Sequence, residues 1–158
     1  MGMTTAPHPH GEPASRSALP TPVTLAAALP LALDAGRVRI HGTACGRRMG
    51  LVRRLVLRLS CGRAVALGNH VFLPARCEGD LAVLAHELTH CAQYQAWGPW
   101  RYYGRGATAQ LRDLLHRTFG VGSSPYAYRH EDGKPFECYG MEQQAQIVED
   151  AFRLRRRG

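Results

Sequence analysis

The chain has almost no lysine and no paired cysteine motif, and both absences restrict what it can be. Lys134 is the only lysine, so the formal charge of +8 comes almost wholly from arginine. The arginines are scattered and no aromatic-rich RNA-reading motif accompanies them, which favours a solvated basic surface with a basic tail over nucleic-acid binding. The five cysteines include no CxxC pair, which argues against a zinc knuckle or a disulfide framework and favours reduced thiols.

Long hydrophobic runs are also absent. No apolar run reaches the roughly 18 residues that a membrane-spanning helix needs. The apolar stretch 23–33 is interrupted by Pro30 and lacks a convincing cleavage site, so it is better interpreted as a first structural element than as an export signal. Residues 1–22 are rich in proline and poor in apolar side chains, which predicts a disordered leader before a domain at 23–158.

The patterning of the rest predicts one α+β domain in which helices dominate. A helix is expected at 81–97, with Asp80 as its cap and Gly98 as its end, and others at 25–33, 108–119 and 141–155. Residues 38–41 alternate as a strand does. Two further strands, 64–67 and 70–73, flank Gly68 and Asn69, which predicts a hairpin before the long helix. The stretch 47–60 fits either structure, with helix favoured, and loops are expected at 100–106 and 120–134.

The most informative motif lies inside the 81–97 helix. His86-Glu87-Leu88-Thr89-His90 spells HExxH. Two histidines four apart share one face of a helix, so both imidazoles can reach one zinc ion. The glutamate beside the first histidine can then act as general base on a water that zinc activates. The motif therefore predicts a zinc site with His86 and His90 as ligands and Glu87 as the catalytic base.

A catalytic zinc site usually takes a third protein ligand. The three-histidine arrangement HExxHxxGxxH does not fit, because Gln93 and Ala96 occupy the glycine and histidine positions. Glu142, which opens the 141–155 helix, is the preferred candidate, and Glu149 on the same face is the alternative. Glu142 could instead serve only to complement the helix dipole.

An oxyanion donor could come from the segment before this helix. The candidates there are His130, Tyr126, Tyr128 and Tyr139. Tyrosines clustered in a loop more often pack, so these are weaker assignments than the ligands.

Several longer stretches carry a resemblance to a known family. They are 63–74 (RAVALGNHVFLP), 84–95 (LAHELTHCAQYQ), 133–136 (GKPF) and 139–150 (YGMEQQAQIVED). Together they resemble a bacterial family of HExxH zinc metallopeptidase domains associated with contractile injection and type VI secretion proteins of the Rhs- and Vgr-related kind. The resemblance implies a zincin-like fold, zinc on His86, His90 and Glu142, and Glu87 as base. Cys91 and Ala151 depart from the family pattern, which affects packing more than chemistry.

Two functions follow from these expectations. The first is a zinc peptidase that acts on a protein or peptide substrate, located in the bacterial cytoplasm or exported by a non-Sec apparatus. The second is a non-catalytic, zinc-stabilised accessory or adaptor domain that binds secretion-system proteins. A structural zinc site needs ligands but no base, so the presence of Glu87 favours the enzyme.

Overall fold

Short helices and strands surround one long helix in the computed structural model, which describes residues 22–44, 46–119 and 133–155. The elements are α1 (Pro22–Ala26), β1 (Arg39–His41), α2 (Arg47–Leu59), β2 (Val65–Leu67), β3 (His70–Phe72), α3 (Leu81–Phe119) and α4 (Met141–Arg155), with 3-10 turns at Ala35–Arg37, Ala75–Cys77 and Phe136–Cys138. This is the predicted helix-dominated α+β domain. The predicted leader, apart from Pro22, and the predicted loop at 120–132 lie outside the described residues.

The three strands form one small sheet in the order β1–β3–β2. β1 runs parallel to β3, with Ile40 opposite Val71, and β2 runs antiparallel to β3. The predicted hairpin is confirmed, because Gly68 and Asn69 connect β2 to β3 and Gly68 has a φ of 62°. A Cβ at Gly68 would lie 3.2 Å from the ring of Tyr94 on α3, so glycine lets the hairpin rest on that helix.

Helix α3 begins where the sequence predicts but continues much further. The Asp80 carboxylate accepts hydrogen bonds from the backbone N–H groups of Ala82 and Val83, at 3.0 and 3.3 Å, which confirms the predicted cap. Gly98 breaks the helix with a φ of 75° and a ψ of 168°. The predicted loop at 100–106 is wrong, because Pro99 lies in the first turn of a second helical arm, where a missing N–H costs nothing. We call 81–97 the first arm and 99–119 the second arm.

The core lies between the sheet and the first arm of α3. Leu88 and Cys91 are fully buried against Val71, Leu73 and further apolar residues of the N-terminal half. The helix predicted at 25–33 has the wrong bounds, because α1 spans Pro22–Ala26 and the chain turns through 27–31. Pro30 prevents the helix from continuing, because it lacks the N–H that would donate to the carbonyl of Ala26 four residues earlier.

Helix α4 lies against α3 and has the predicted bounds. Its buried residues are Gln144, Ala145 and Val148. Ala145 is fully buried, and its small side chain lets the two helices approach closely. No helix among the described residues is long and apolar enough to cross a bilayer.

Candidate metal and catalytic site

Helices α3 and α4 bring together three side chains of types that can bind a metal ion. Nε2 of His86 lies 3.9 Å from Oε2 of Glu142, and Nε2 of His90 lies 3.5 Å from the same oxygen. One ligand atom from each of the three residues lies within 4.8 Å of the others. Tetrahedral zinc with bonds of about 2.1 Å separates its ligand atoms by roughly 3.4 Å. The arrangement fits such an ion with small side-chain adjustments.

The charge states of these residues are strongly coupled. Burial opposes ionisation of Glu142, but the imidazoles of His90 and His86 outweigh it and lower the pKa of this carboxyl. Burial likewise opposes a charge on His90, yet the carboxylates of Glu142 and Glu87 raise its pKa to about 9. Glu142 is therefore a carboxylate that attracts positive charge into this part of the protein, which is the property a cation ligand requires.

Glu149, the alternative third ligand, lies on the other side of His86. Its Oε2 is 2.9 Å from Nδ1 of His86, whereas Glu142 approaches Nε2 of the same ring. The His86 ring and the Arg153 guanidinium, which lies 2.6 Å from Glu149, lower the pKa of Glu149 to about 2. The Nδ1 atom has no partner with hydrogen-bond geometry among the described residues. Glu149 lies beside Nδ1 of His86, away from the Nε2 atom that faces Glu142, and it acts on that side of the ring by charge rather than through a hydrogen bond.

A pair of glutamines orients the ring of His90. Gln93 Nε2 donates to the carbonyl of Met141 at 3.0 Å and to Oε1 of Gln144 at 2.9 Å. Gln144 in turn donates to the carbonyls of Phe136 and Tyr139. Carbonyls only accept, so the Gln93 amide must present its Oε1 to His90 Nδ1, 2.9 Å away. His90 therefore carries a proton on Nδ1, which in the neutral ring leaves the Nε2 lone pair directed towards Glu142.

This glutamine network also connects the two helices, which gives a stability prediction. Gln93→Leu leaves several buried polar groups without partners, so we expect the free energy of unfolding of the metal-free protein to fall by about 3 kcal/mol. Gln146→Leu is the matched control, because Gln146 is only half-buried and bonds to Asp150 on its own helix. We expect less than about 0.5 kcal/mol there. Urea denaturation measures both, and equal losses would contradict the assigned role of Gln93.

Glu87 lies beside the two histidines in a nearly closed environment. Its exposed fraction is 5%, and burial raises the pKa of its carboxyl, with the imidazoles and a backbone hydrogen bond from Ala66 partly opposing this. Ala66 lies on β2, and its carbonyl accepts a hydrogen bond from the Tyr102 hydroxyl at 3.1 Å. The Tyr102 ring also lies edge-on to His90, with centroids 6.5 Å apart. The second arm of α3 therefore covers one side of the site.

The structure brings His86, Glu87, His90 and Glu142 together as the sequence predicted. Of the oxyanion candidates, Tyr139 is buried beneath Lys134, whose Nζ is 4.7 Å from its ring centroid, and His130, Tyr126 and Tyr128 lie outside the described residues. The sequence interpretation missed Gln93, Gln144 and Tyr102. Gln93 had a usable signal, since it stands three residues after His90 and so lies on the same helix face.

Comparison with known proteins places the chain in a family. The model of the eCIS core domain, named for the extracellular contractile injection system, matches residues 18–98. The match includes the HExxH residues and ends at the break in α3, so it does not reach Glu142. No curated protein and no solved structure matches the chain. Because the family match covers slightly more than half of the 158 residues, the chain belongs to the eCIS core domain family, whose association is with contractile injection systems.

Proposed function

We propose that the protein is a zinc-dependent peptidase that hydrolyses peptide bonds with Glu87 as general base. One observation carries the proposal: His86, His90 and Glu142 present ligand atoms within 4.8 Å of one another, directly beside Glu87. Two imidazoles and one carboxylate are a donor set used by catalytic zinc, and such a set leaves a position open for water. A site with a purely structural ion has no use for the base.

The neighbouring side chains support zinc over calcium or magnesium. Nδ1 of each histidine lies 2.9 Å from an oxygen, of Glu149 for His86 and of Gln93 for His90, and the Nε2 atoms face Glu142 instead. Outer partners of this kind fix the orientation of ligating imidazoles and increase their basicity. Imidazole ligands disfavour calcium and magnesium, which prefer all-oxygen sites.

The chemistry then divides between the ion and the protein. Bound zinc supplies a lowered pKa for the attacking water and polarises the carbonyl of the scissile bond. The Glu87 carboxylate takes the proton of that water and passes it to the leaving amine. Burial raises the pKa of Glu87, which makes it better able to hold that proton between the two transfers.

The family suggests where this activity operates. We propose that the substrate is a protein or peptide and that the partners are proteins of a contractile injection system, with which the family is associated. On this proposal the protein is made in a bacterial cytoplasm. Any export from there uses an apparatus other than Sec.

A zinc-stabilised accessory domain is the second candidate, and the closure of the site favours it. The exposed fraction of Glu87 is only 5%. The Tyr102 hydroxyl donates a hydrogen bond to the Ala66 carbonyl on β2, which holds the second arm of α3 against the site. A structural zinc ion needs no path for a substrate, so burial of this kind does not hinder that role. The enzyme therefore requires the second arm of α3 to yield space to a substrate, whereas the accessory domain requires no movement.

Metal removal separates the two candidates. We expect one zinc ion per chain by native mass spectrometry, and we expect cleavage of an unfolded protein substrate to stop when a chelator removes zinc and to resume when zinc is returned. Zinc should also stabilise the fold, because a ligand present at about 100 times its Kd adds about 2.7 kcal/mol to the free energy of unfolding. Failure to bind zinc would overturn both candidates. Binding without any cleavage would support the accessory domain.

A further inference from the structure

Helix α2 presents an apolar surface that nothing in the described structure covers. None of its residues is buried. The exposed fractions of its outward side chains are 57% for Leu51, 46% for Val52, 60% for Leu55 and 77% for Leu59. Leu51, Leu55 and Leu59 are spaced four apart and therefore form one row along the helix. We call this row, with Val52, the α2 outer face.

The charges of the same helix all have one sign. Its charged residues are Arg47, Arg48, Arg53, Arg54 and Arg58, and it has no acidic residue. Arg53 points inward, where it donates to the carbonyl of Leu73 and lies 3.6 Å from Glu78. The other four are exposed. The α2 outer face is thus a row of aliphatic side chains bordered by guanidinium groups.

Such a helix gains little stability from the rest of the molecule. An isolated helix of this length is marginal in water, and most helices depend on burying an apolar face. Within the described residues, α2 contacts mainly β1 and β3 and is held by Arg53, while its most apolar positions face solvent. A surface that is both apolar and anionic would complement this face. A second copy of the helix would instead bring arginine against arginine.

We propose that the α2 outer face binds the surface of an anionic lipid bilayer. Leucine and valine can enter the boundary between headgroups and acyl chains, while the arginines extend to the lipid phosphates. A bilayer needs no matching shape, which suits a convex helix, and α2 carries none of the aromatic side chains that dominate protein–protein contacts. Each arginine near an anionic leaflet adds to the attraction. This surface activity is independent of the proposed peptidase.

Vesicle sedimentation of the full chain tests the proposal. The probes are phosphatidylcholine vesicles with and without about one-third phosphatidylserine, in roughly 0.1 M salt. We expect binding to the anionic vesicles to be at least about tenfold stronger than to the neutral ones, and Leu55→Glu to lower it about tenfold or more. Leu154→Glu is the matched control, because Leu154 is 68% exposed on α4, and it should bind as the wild type does.

Charge-reversal variants complete the experiment. Arg54→Glu with Arg58→Glu should weaken binding strongly, whereas Arg101→Glu on the exposed surface of α3 should have little effect. Circular dichroism shows whether each variant is folded, and exposed glutamate is a good helix former. Absence of binding to anionic vesicles overturns the proposal. So does equal loss in Leu55→Glu and Leu154→Glu, or loss confined to the arginine variants, which would indicate attraction by charge alone.

Discussion

Glu87→Gln is expected to lower kcat for peptide hydrolysis by about a thousandfold while the protein keeps its zinc. Glutamine has the same shape as glutamate but cannot take the proton of the attacking water. The Ala66 N–H that reaches Glu87 can still donate to a glutamine oxygen, so the local packing is preserved. The loss should therefore fall on kcat rather than on folding or metal content.

The measurement compares kcat, zinc per chain and Tm for the wild type and the variant. Burial raises the pKa of Glu87, so the free energy of unfolding falls as rising pH ionises this side chain. Glutamine has no such charge. The Tm of the metal-free variant should therefore be no lower than that of the wild type at neutral pH. Glu137→Gln is the control, because Glu137 is exposed in the turn before α4. Full activity in Glu87→Gln would remove Glu87 from the mechanism.

Glu142→Ala is expected to weaken zinc binding by more than about 100-fold, because it removes a proposed ligand. Glu149→Gln should weaken zinc binding by about 10-fold to 100-fold, as is usual for a residue that only orients a ligand. The two variants should differ because Glu142 approaches Nε2 of His86, whereas Glu149 approaches Nδ1 of the same ring.

Competition with a chromophoric chelator at constant pH ranks the two variants, and circular dichroism of the metal-free proteins shows that both are folded. Asp150→Asn serves as a neighbouring control on α4, since this residue bonds to Gln146 and lies outside the trio of ligands. A greater loss in Glu149→Gln than in Glu142→Ala would reverse the assignment of ligand and orienting residue.

Local chemistry made much of the fold predictable. The Asp80 cap and the Gly68–Asn69 turn both depend on residues a few positions apart, and each is confirmed. The placement of Glu142 beside the histidines was also predicted, because the HExxH motif requires a partner and the small Ala145 permits close helix packing.

The second arm of α3 shows where local rules fail. Gly98 followed by Pro99 indicates the end of a helix. The non-helical φ and ψ of Gly98 show that the first arm does end there. The same proline is equally suited to start the next helix, and nothing near it in the sequence distinguishes the two outcomes. The buried position of Tyr102 on Ala66 depends on this restart, so it could not be anticipated.

The glutamine network was hidden for a different reason. Gln93 and Gln144 are 51 positions apart and meet only because α4 lies against α3. Each alone resembles an ordinary polar helix residue. Their burial and their shared orientation of His90 are properties of the helix pair, which a single stretch of sequence does not contain.

The location of Glu142 on a helix far from the histidines has a consequence for biosynthesis. A ribosome synthesises the HExxH helix before it synthesises α4, and the family match itself ends at residue 98. During that interval the nascent polypeptide has the base and two imidazoles but no carboxylate to complete the trio. On the proposed function, hydrolysis is thus withheld until α4 has been synthesised and has packed against α3.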